Sequence, residues 1–172
     1  TSPLITKIAT GFGVRCINTP TGFKWMAQKM LKYEEQAQTR IQEEEGIGLD
    51  FDSTELFTRM DILSRYSTCT VLAAEESYGY LPLDLVRDKD GNASSLAIAE
   101  AFAYMQSTGT SPLKFLDTIY QKYGYHQEKT ENIYFEGAEG SATISKLVES
   151  YRKNPFKKVE SFKVSKKKDF SE

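Results

Sequence analysis

Two adjacent carboxylates are the residues of this sequence most suggestive of chemistry. Glu75 and Glu76 follow the apolar run 71–74 and precede Ser77 and Gly79. Two carboxylates can catalyse glycoside hydrolysis when they face each other across a sugar bond, roughly 5–10 Å apart. Adjacent residues on an extended chain point to opposite faces. The spacing therefore argues against an acid/base pair.

Two other chemistries remain for this segment. Asp84, Asp88 and Asp90 follow closely and could hold Mg²⁺ or Ca²⁺, but the glycine and the terminal glutamate of a calcium loop are not in place. The alternative is a carbohydrate clamp, because a carboxylate can bridge sugar hydroxyls and Ser77 can donate or accept beside it. Gly79 would let the backbone turn tightly beside a ligand. The end of a strand is a customary ligand site in α/β proteins, so the clamp is the better interpretation.

Arg87 and Lys89 bring cations to the same region. Both could pair with the neighbouring aspartates on a solvated loop. Both could equally clamp a phosphate, since Arg binds phosphate bidentately and Lys binds it as a point charge. The residues alone leave these two interpretations open.

The segment TPTGFKW, residues 19–25, lies at the start of a predicted helix. Thr21 can cap that helix, whose apolar stripe includes Phe23, Met26 and Met30. Thr21 and Gly22 could instead offer a hydroxyl and free N–H groups to a sugar or an anion. An ordinary helix cap is the simpler interpretation, and a ligand contact is the functional alternative.

Alternating helices and strands must position these residues. Apolar periodicity and capping signals predict helices over 3–10, 21–31, 53–67, 92–105 and 113–123, with strands over 14–18 and 68–75. The charged stretch 33–53 predicts an exposed extension or insertion. The alternation predicts an α/β protein, with a three-layer α/β/α domain and a mixed sheet over residues 1–125.

The pattern changes after Gly124. A polar segment precedes a predicted strand over 131–137, a helix over 141–153 and an alternating strand over 159–167. This β-α-β piece is too short for a comfortable domain alone. We therefore expect residues 126–172 to be a linker and a partial α+β segment.

Composition narrows the class of function. The chain has 172 residues, 27% charged and 40% hydrophobic, with a net charge of −2, so no large basic field predicts a nucleic-acid partner. No apolar run approaches the roughly 18 residues that span a membrane, and the chain opens on no signal-peptide pattern. One histidine cannot supply a His-rich metal site, and two cysteines in apolar runs fit a reducing compartment. We expect a cytoplasmic protein.

Three motifs together resemble one family. TPTGFKW (19–25), EESYGY (75–80) and VRDKDG (86–91), in this order, resemble the third domain of the α-D-phosphohexomutases, which include phosphoglucomutase and phosphomannomutase. The first two motifs are more similar to the phosphoglucomutase branch than to the phosphoglucosamine branch. Residues after about 130 resemble the opening β-α-β of the fourth domain.

The resemblance implies an intramolecular phosphotransferase that interconverts hexose 1-phosphate and hexose 6-phosphate. It implies substrate-binding roles for Thr21, Gly22, Glu75, Ser77, Lys89 and Arg87. Glu75 and Ser77 would bind ring hydroxyls, and Lys89 would approach the phosphosugar, with Arg87 the weaker candidate. Ala74 departs from the family pattern, which usually has a glycine there.

The resemblance also implies groups that this sequence lacks. Family members carry a phosphoserine loop on the first domain, an Asp-Gly-Asp Mg²⁺ site on the second and a Ser-Gly-Thr phosphate loop on the fourth, and these motifs do not occur here. We expect a fragment without catalytic or metal-binding residues of its own, inactive alone.

The partners implied are a sugar phosphate and the missing parts of the enzyme: its first and second domains, the first strand of the third and the rest of the fourth. Mg²⁺ and hexose 1,6-bisphosphate would serve the longer enzyme as cofactors, and this fragment would bind neither. The alternative from another class is a standalone binding or interaction module of α/β fold. Such a module would use the charged stretch 34–45 and the lysine-rich stretch 157–168.

Overall fold

The computed structural model describes residues 2–76, 79–84 and 86–169. Within these residues the helices are α1 (Pro3–Gly11), α2 (Phe23–Glu45), α3 (Leu56–Tyr66), α4 (Gly91–Ser107), α5 (Pro112–Tyr123) and α6 (Gly137–Lys153). The strands are β1 (Leu72–Glu75), β2 (Gly79–Pro82), β3 (Lys158–Val159) and β4 (Phe162–Lys163). The chain divides into two units, Thr1–Gln127 and Glu128–Glu172.

Local sequence signals set several helix ends. Ser2, Asp90 and Ser111 each accept a backbone N–H in the first turn of α1, α4 and α5. Each bond satisfies a donor that the start of a helix leaves unpaired. Pro3 and Pro112 occupy first-turn positions, where proline loses no hydrogen bond. The helices predicted over these three segments are confirmed.

The charged stretch is an extension of α2, one of the two alternatives predicted for it. It continues this helix to Glu45, and Gly46 ends it in the left-handed conformation at a φ of 70°. Most of its residues are exposed, but Glu34, Ala37 and Ile41 are buried. The many glutamates of the stretch obscured these buried positions at helical spacing. None of the helices in the described residues is long and apolar enough to cross a membrane.

Two apolar clusters form the core of the first unit. One joins the start of α2 to the strands β1 and β2, through the buried residues Phe23, Met30, Ala73 and Leu81. The other joins the later part of α2 to α3, through Ala37, Phe51, Ile62 and Leu63. Because α2 contributes to both clusters, it connects the strands β1 and β2 to α3.

The strands β1 and β2 pair antiparallel, with Glu75 opposite Gly79. Residues 14–18, predicted as a strand, have no regular secondary structure, and the predicted strand 68–75 is shortened to β1. Each sheet among the described residues has two strands. The mixed α/β class is confirmed, but the three-layer arrangement is not. A segment with high strand propensity forms a strand only where a second strand pairs with it. Local sequence propensity does not identify that second strand.

The second unit contains α6 and the strands β3 and β4. The helix predicted over 141–153 is confirmed and begins earlier, at Gly137. The strand predicted over 131–137 is wrong, since residues 131–136 have no regular secondary structure. The segment predicted as one alternating strand folds back on itself as β3 and β4, with Glu160 between them at a φ of 49°.

Ile41→Ala tests whether the later part of α2 belongs to the core. Ile41 is 5% exposed, whereas Leu31 on the same helix is 44% exposed. We expect Ile41→Ala to lower the free energy of unfolding by about 2–4 kcal/mol, because a cavity replaces a buried side chain. The matched control, Leu31→Ala, should cost less than about 1 kcal/mol. Denaturant unfolding followed by circular dichroism measures both, and equal small losses would contradict the integrated helix.

Candidate functional site

Glu75 is the centre of a polar cluster at the end of β1. Its side chain is 6% exposed. One carboxylate oxygen, Oε1, accepts the backbone N–H of Gly22 at 2.7 Å, and the other, Oε2, lies 3.4 Å from Nζ of Lys89. We call Gly22, Phe23, Glu75, Gly79 and Lys89 the Glu75 cluster. It joins the start of α2, the end of β1 and the segment before α4.

The start of α2 is built around Gly22. Gly22 is the N-cap at a φ of 121°, a conformation that residues with a side chain rarely adopt. The Glu75 carboxylate lies at this end of the helix, where the helix dipole favours a negative charge. The prediction that Thr21 caps α2 was wrong, since no side chain caps this helix and Thr21 is exposed in the preceding turn. The carboxylate that does bind there comes from a distant part of the chain.

Lys89 completes the cluster from the other side. Its Nζ lies 4.6 Å from the centroid of the Phe23 ring, in a cation–π arrangement, and 3.7 Å from Oδ1 of Asp88. A Cβ placed on Gly79 would meet Cε of Lys89 at 2.8 Å and Cε2 of Phe23 at 2.9 Å. The Lys89 side chain is 44% exposed, so it is partly accessible although its ammonium group lies against Glu75.

Arg87 belongs to a different group, the Glu34 cluster, formed by Glu34, Arg59, Asp84 and Arg87. The Arg87 guanidinium donates to Oε2 of Glu34 and lies 3.7 Å from Oδ1 of Asp52. Nη2 of Arg59 donates to Oε1 of Glu34 at 3.3 Å and to the backbone carbonyl of Asp84 at 3.2 Å. This cluster ties the segment before α4 to α2 and α3. Arg87 thus forms ion pairs with the buried Glu34 and the exposed Asp52. It does not join the Glu75 cluster.

Burial raises the pKa of both carboxyl groups in the Glu34 cluster. Asp84 is 2% exposed, and its Oδ1 has no hydrogen-bond partner among the described residues. Desolvation raises the pKa of Asp84 above its ordinary value, and the charges of Arg59 and Arg87 oppose this effect. Desolvation likewise raises the pKa of Glu34, opposed chiefly by Arg87. The folded chain therefore holds these protons more tightly than the unfolded chain does.

The structure brings together three predicted ligand residues from three separate motifs: Gly22, Glu75 and Lys89. Ser77, also predicted, lies outside the described residues. Sequence reasoning missed Glu34, although its place between Met30 and Ala37 on the apolar stripe of α2 was an available signal.

The described residues contain no group of three or more His, Cys, Asp or Glu side chains that could hold a metal ion. The Mg²⁺ that the family resemblance implies thus has no ligand set among these residues.

Part of the chain is similar to bacterial phosphoglucomutases, so the resemblance to the phosphohexomutase family is confirmed. The phosphoglucomutases of a bovine strain and of strain USA300 of Staphylococcus aureus are each 31% identical over 100 residues, covering 58% of this chain and 18% of theirs. The phosphoglucomutase of Staphylococcus haemolyticus is 34% identical over 84 residues, which cover 49% of this chain and 15% of that protein. The chain thus spans a small part of these relatives, and no family model or solved structure matches it.

Gly79→Ala tests the close packing of the Glu75 cluster. The added methyl group would displace Lys89 or the Phe23 ring, so we expect the free energy of unfolding to fall by about 1–3 kcal/mol. Gly91→Ala is the matched control, because a Cβ there meets nothing within 4 Å. Denaturant unfolding compares the two variants. A loss at Gly79 no larger than that at Gly91 would contradict the described packing.

Asp84→Asn tests the raised pKa of Asp84. Because the folded chain holds this proton more tightly, Asp84 favours folding at low pH, and that contribution is lost as pH rises from about 4 through the folded-state pKa. We expect the stability of the wild type relative to Asp84→Asn to fall as pH rises above about 4. Denaturant unfolding at several pH values measures the difference. A constant or rising difference would show that desolvation does not dominate at Asp84.

Proposed function

We propose that this chain is the sugar-binding part of a phosphohexomutase, an isomerase that interconverts hexose 1-phosphate and hexose 6-phosphate by intramolecular phosphoryl transfer. The observation that carries the proposal is the convergence of Gly22, Glu75 and Lys89 in one polar cluster. The similarity to phosphoglucomutases supports this class of reaction.

Lys89 offers the positive charge that a sugar phosphate needs. An ammonium group has three N–H donors, and the pairing with Glu75 occupies one direction, so the exposed side can bind a phosphate or a hydroxyl. The side chain of the neighbouring Asp88 is 76% exposed. A phosphate could therefore replace the Asp88 carboxylate beside the Lys89 ammonium. Lys89 is therefore the residue of the cluster that meets the ligand most directly.

Glu75 has two roles in this proposal. Its contacts with Gly22 and Lys89 hold the cluster together. A carboxylate has about four lone-pair directions, so two remain for a ring hydroxyl that reaches the edge of the cluster. Thr21, exposed beside Gly22, lies at the same helix start and could contribute its hydroxyl. Ser77 as a second hydroxyl ligand stays a prediction.

The implied reaction requires the sugar to bind in two orientations, because phosphate moves between the 1- and 6-positions. Groups that tolerate exchanged hydroxyl positions suit this task, such as a carboxylate with two equivalent oxygens and a lysine that acts as a point charge. Glu75 and Lys89 position the substrate in this proposal and transfer no proton. Arg87, held by Glu34, supports the segment that carries Lys89 and is the weaker ligand candidate.

The reactive groups are proposed to lie in other parts of a longer enzyme. The chain spans 18% of its relatives in Staphylococcus aureus. Apolar side chains on more than one side of α4 are uncovered: Leu96, Ile98 and Phe102 are 64%, 53% and 52% exposed. Extensive apolar surface is normally covered in a folded protein. We propose that further strands of a three-layer α/β/α sheet, or neighbouring domains, cover this helix.

The same longer enzyme would carry the phosphoserine and use Mg²⁺ and hexose 1,6-bisphosphate. The division of the chain after Gln127 supports the domain boundary proposed near residue 125, with the start of the fourth domain beyond it. The free thiols of Cys16 and Cys69 are in keeping with a cytoplasmic location.

Lys89→Met and Glu75→Gln test the proposed site. We expect the chain to bind glucose 1-phosphate weakly, and each variant to raise the dissociation constant at least about tenfold, because each removes a partner from the charged cluster. Isothermal titration calorimetry measures binding, with Lys114→Met, at an exposed lysine of α5, as the matched control. In the longer enzyme both variants should raise KM and lower kcat/KM.

Unchanged binding and kinetics in both variants would contradict the assignment of the site. Conversion of glucose 1-phosphate by the 172-residue chain alone would overturn the proposal that the reactive groups lie elsewhere.

A further inference from the structure

A second polar site is built on α2, away from the Glu75 cluster. Arg15, Lys29, Lys32 and Arg40 line an open cavity of about 470 Å³, together with Ser67 and Thr68. We call this cavity the basic cleft. It shares no residue with the Glu75 cluster or the Glu34 cluster, and its lining residues include no carboxylate.

The periodicity of α2 explains why the cations share one face. Lys29, Lys32, Gln36 and Arg40 are spaced by three and four residues, so they form one stripe along the helix. The neighbouring stripe, which includes Met30, Glu34, Ala37 and Ile41, is buried in the core. Burial of that stripe therefore fixes the direction in which the basic stripe faces.

The two guanidinium groups of the basic cleft are held in place by the same turn. Nη2 of Arg15 donates to Oγ1 of Thr68 at 3.2 Å, and Nη1 of Arg40 donates to the carbonyl of Tyr66 at 3.1 Å. Each contact uses one of five N–H donors and leaves the others available. Among the described residues, no carboxylate lies within ion-pair distance of Arg15, Arg40 or the two lysines.

We propose that the basic cleft binds a small polyvalent oxyanion, the phosphate groups of a phosphorylated metabolite. Four cations converge there although the whole chain has a net charge of −2. Arginine forks match phosphate oxygens, and charge-assisted hydrogen bonds are among the strongest that a protein makes. The cavity has the volume of a small-molecule site. Nothing in this assignment depends on the proposed mutase function.

The sequence favours a small anion over a nucleic acid. Glu43 follows Arg40 by three residues on the same face of α2, so the basic stripe ends in a carboxylate. A nucleic-acid partner would need a continuous basic surface along its phosphate backbone. The cleft offers four cations around one cavity instead.

Lys29→Gln/Lys32→Gln tests the proposal, since neither lysine makes a side-chain hydrogen bond or ion pair among the described residues and the double variant should fold. The probe is inorganic pyrophosphate, titrated calorimetrically at about 50 mM salt, where screening is modest. We expect saturable binding by the wild-type chain and at least a roughly tenfold weaker affinity in the double variant. Lys163→Gln/Lys166→Gln, which removes two exposed lysines of the second unit, should bind like the wild type. Lys89→Met is titrated beside it to detect anion binding at the Glu75 cluster.

The outcomes separate this cleft from the alternatives. Absence of saturable pyrophosphate binding, or equal affinity in the wild type and the Lys29→Gln/Lys32→Gln variant, would overturn the proposal. A loss of pyrophosphate affinity confined to Lys89→Met would show that the anion binds at the Glu75 cluster, and would also overturn the proposal. Binding of a single-stranded oligonucleotide in the absence of pyrophosphate binding would replace the small oxyanion with a nucleic acid. Circular dichroism spectra of every variant confirm that each retains its helices.

Discussion

The buried carboxylate of Glu75 is the constraint on which the arrangement of the first unit depends. A carboxylate removed from water is costly unless hydrogen bonds and an opposite charge replace its hydration. The N–H of Gly22 and the ammonium of Lys89 provide both. These partners come from the start of α2 and the segment before α4. If either segment moved, the Glu75 carboxylate would lose a partner or become exposed to water. The positive φ of Gly22 and the missing side chain of Gly79 make the close approach possible.

A second buried carboxylate restrains the same segment from another direction. Arg87 donates to Glu34 on α2, while Lys89 pairs with Glu75 on β1. Two cations that look equivalent in the sequence therefore have different surroundings: Arg87 binds Glu34 on α2, and Lys89 binds Glu75 beside the start of α2. Arg59 shares Glu34 with Arg87 and also binds the carbonyl of Asp84, which extends the restraint to α3. Replacement of Glu34 would leave two arginines without their shared partner, a costlier loss than that of one surface ion pair.

The features that the sequence predicted well depend on neighbouring residues. Serine and proline at the starts of α1 and α5 act within one helical turn, so those helices were predicted correctly. The features that it missed depend on distant partners. The carboxylate at the start of α2 arrives from β1, and the charged continuation of α2 is stabilised by Phe51 and Leu63 of the second apolar cluster. The site motifs indicated Gly22, Glu75 and Lys89, but the separation of Arg87 from Lys89 required knowledge of which carboxylate each one meets.

The charges of α2 illustrate why composition alone hides function. The helix holds many charged residues, and their positions around its axis separate the buried Glu34 from a basic stripe. Like charges spaced three or four residues apart destabilise a helix by about 0.2–0.5 kcal/mol per pair. Lys29 and Lys32 have this spacing, and within the described residues no carboxylate lies within ion-pair distance of either. A bound oxyanion would remove that repulsion, so the same placement that weakens the isolated helix increases the affinity of the cleft for an anion.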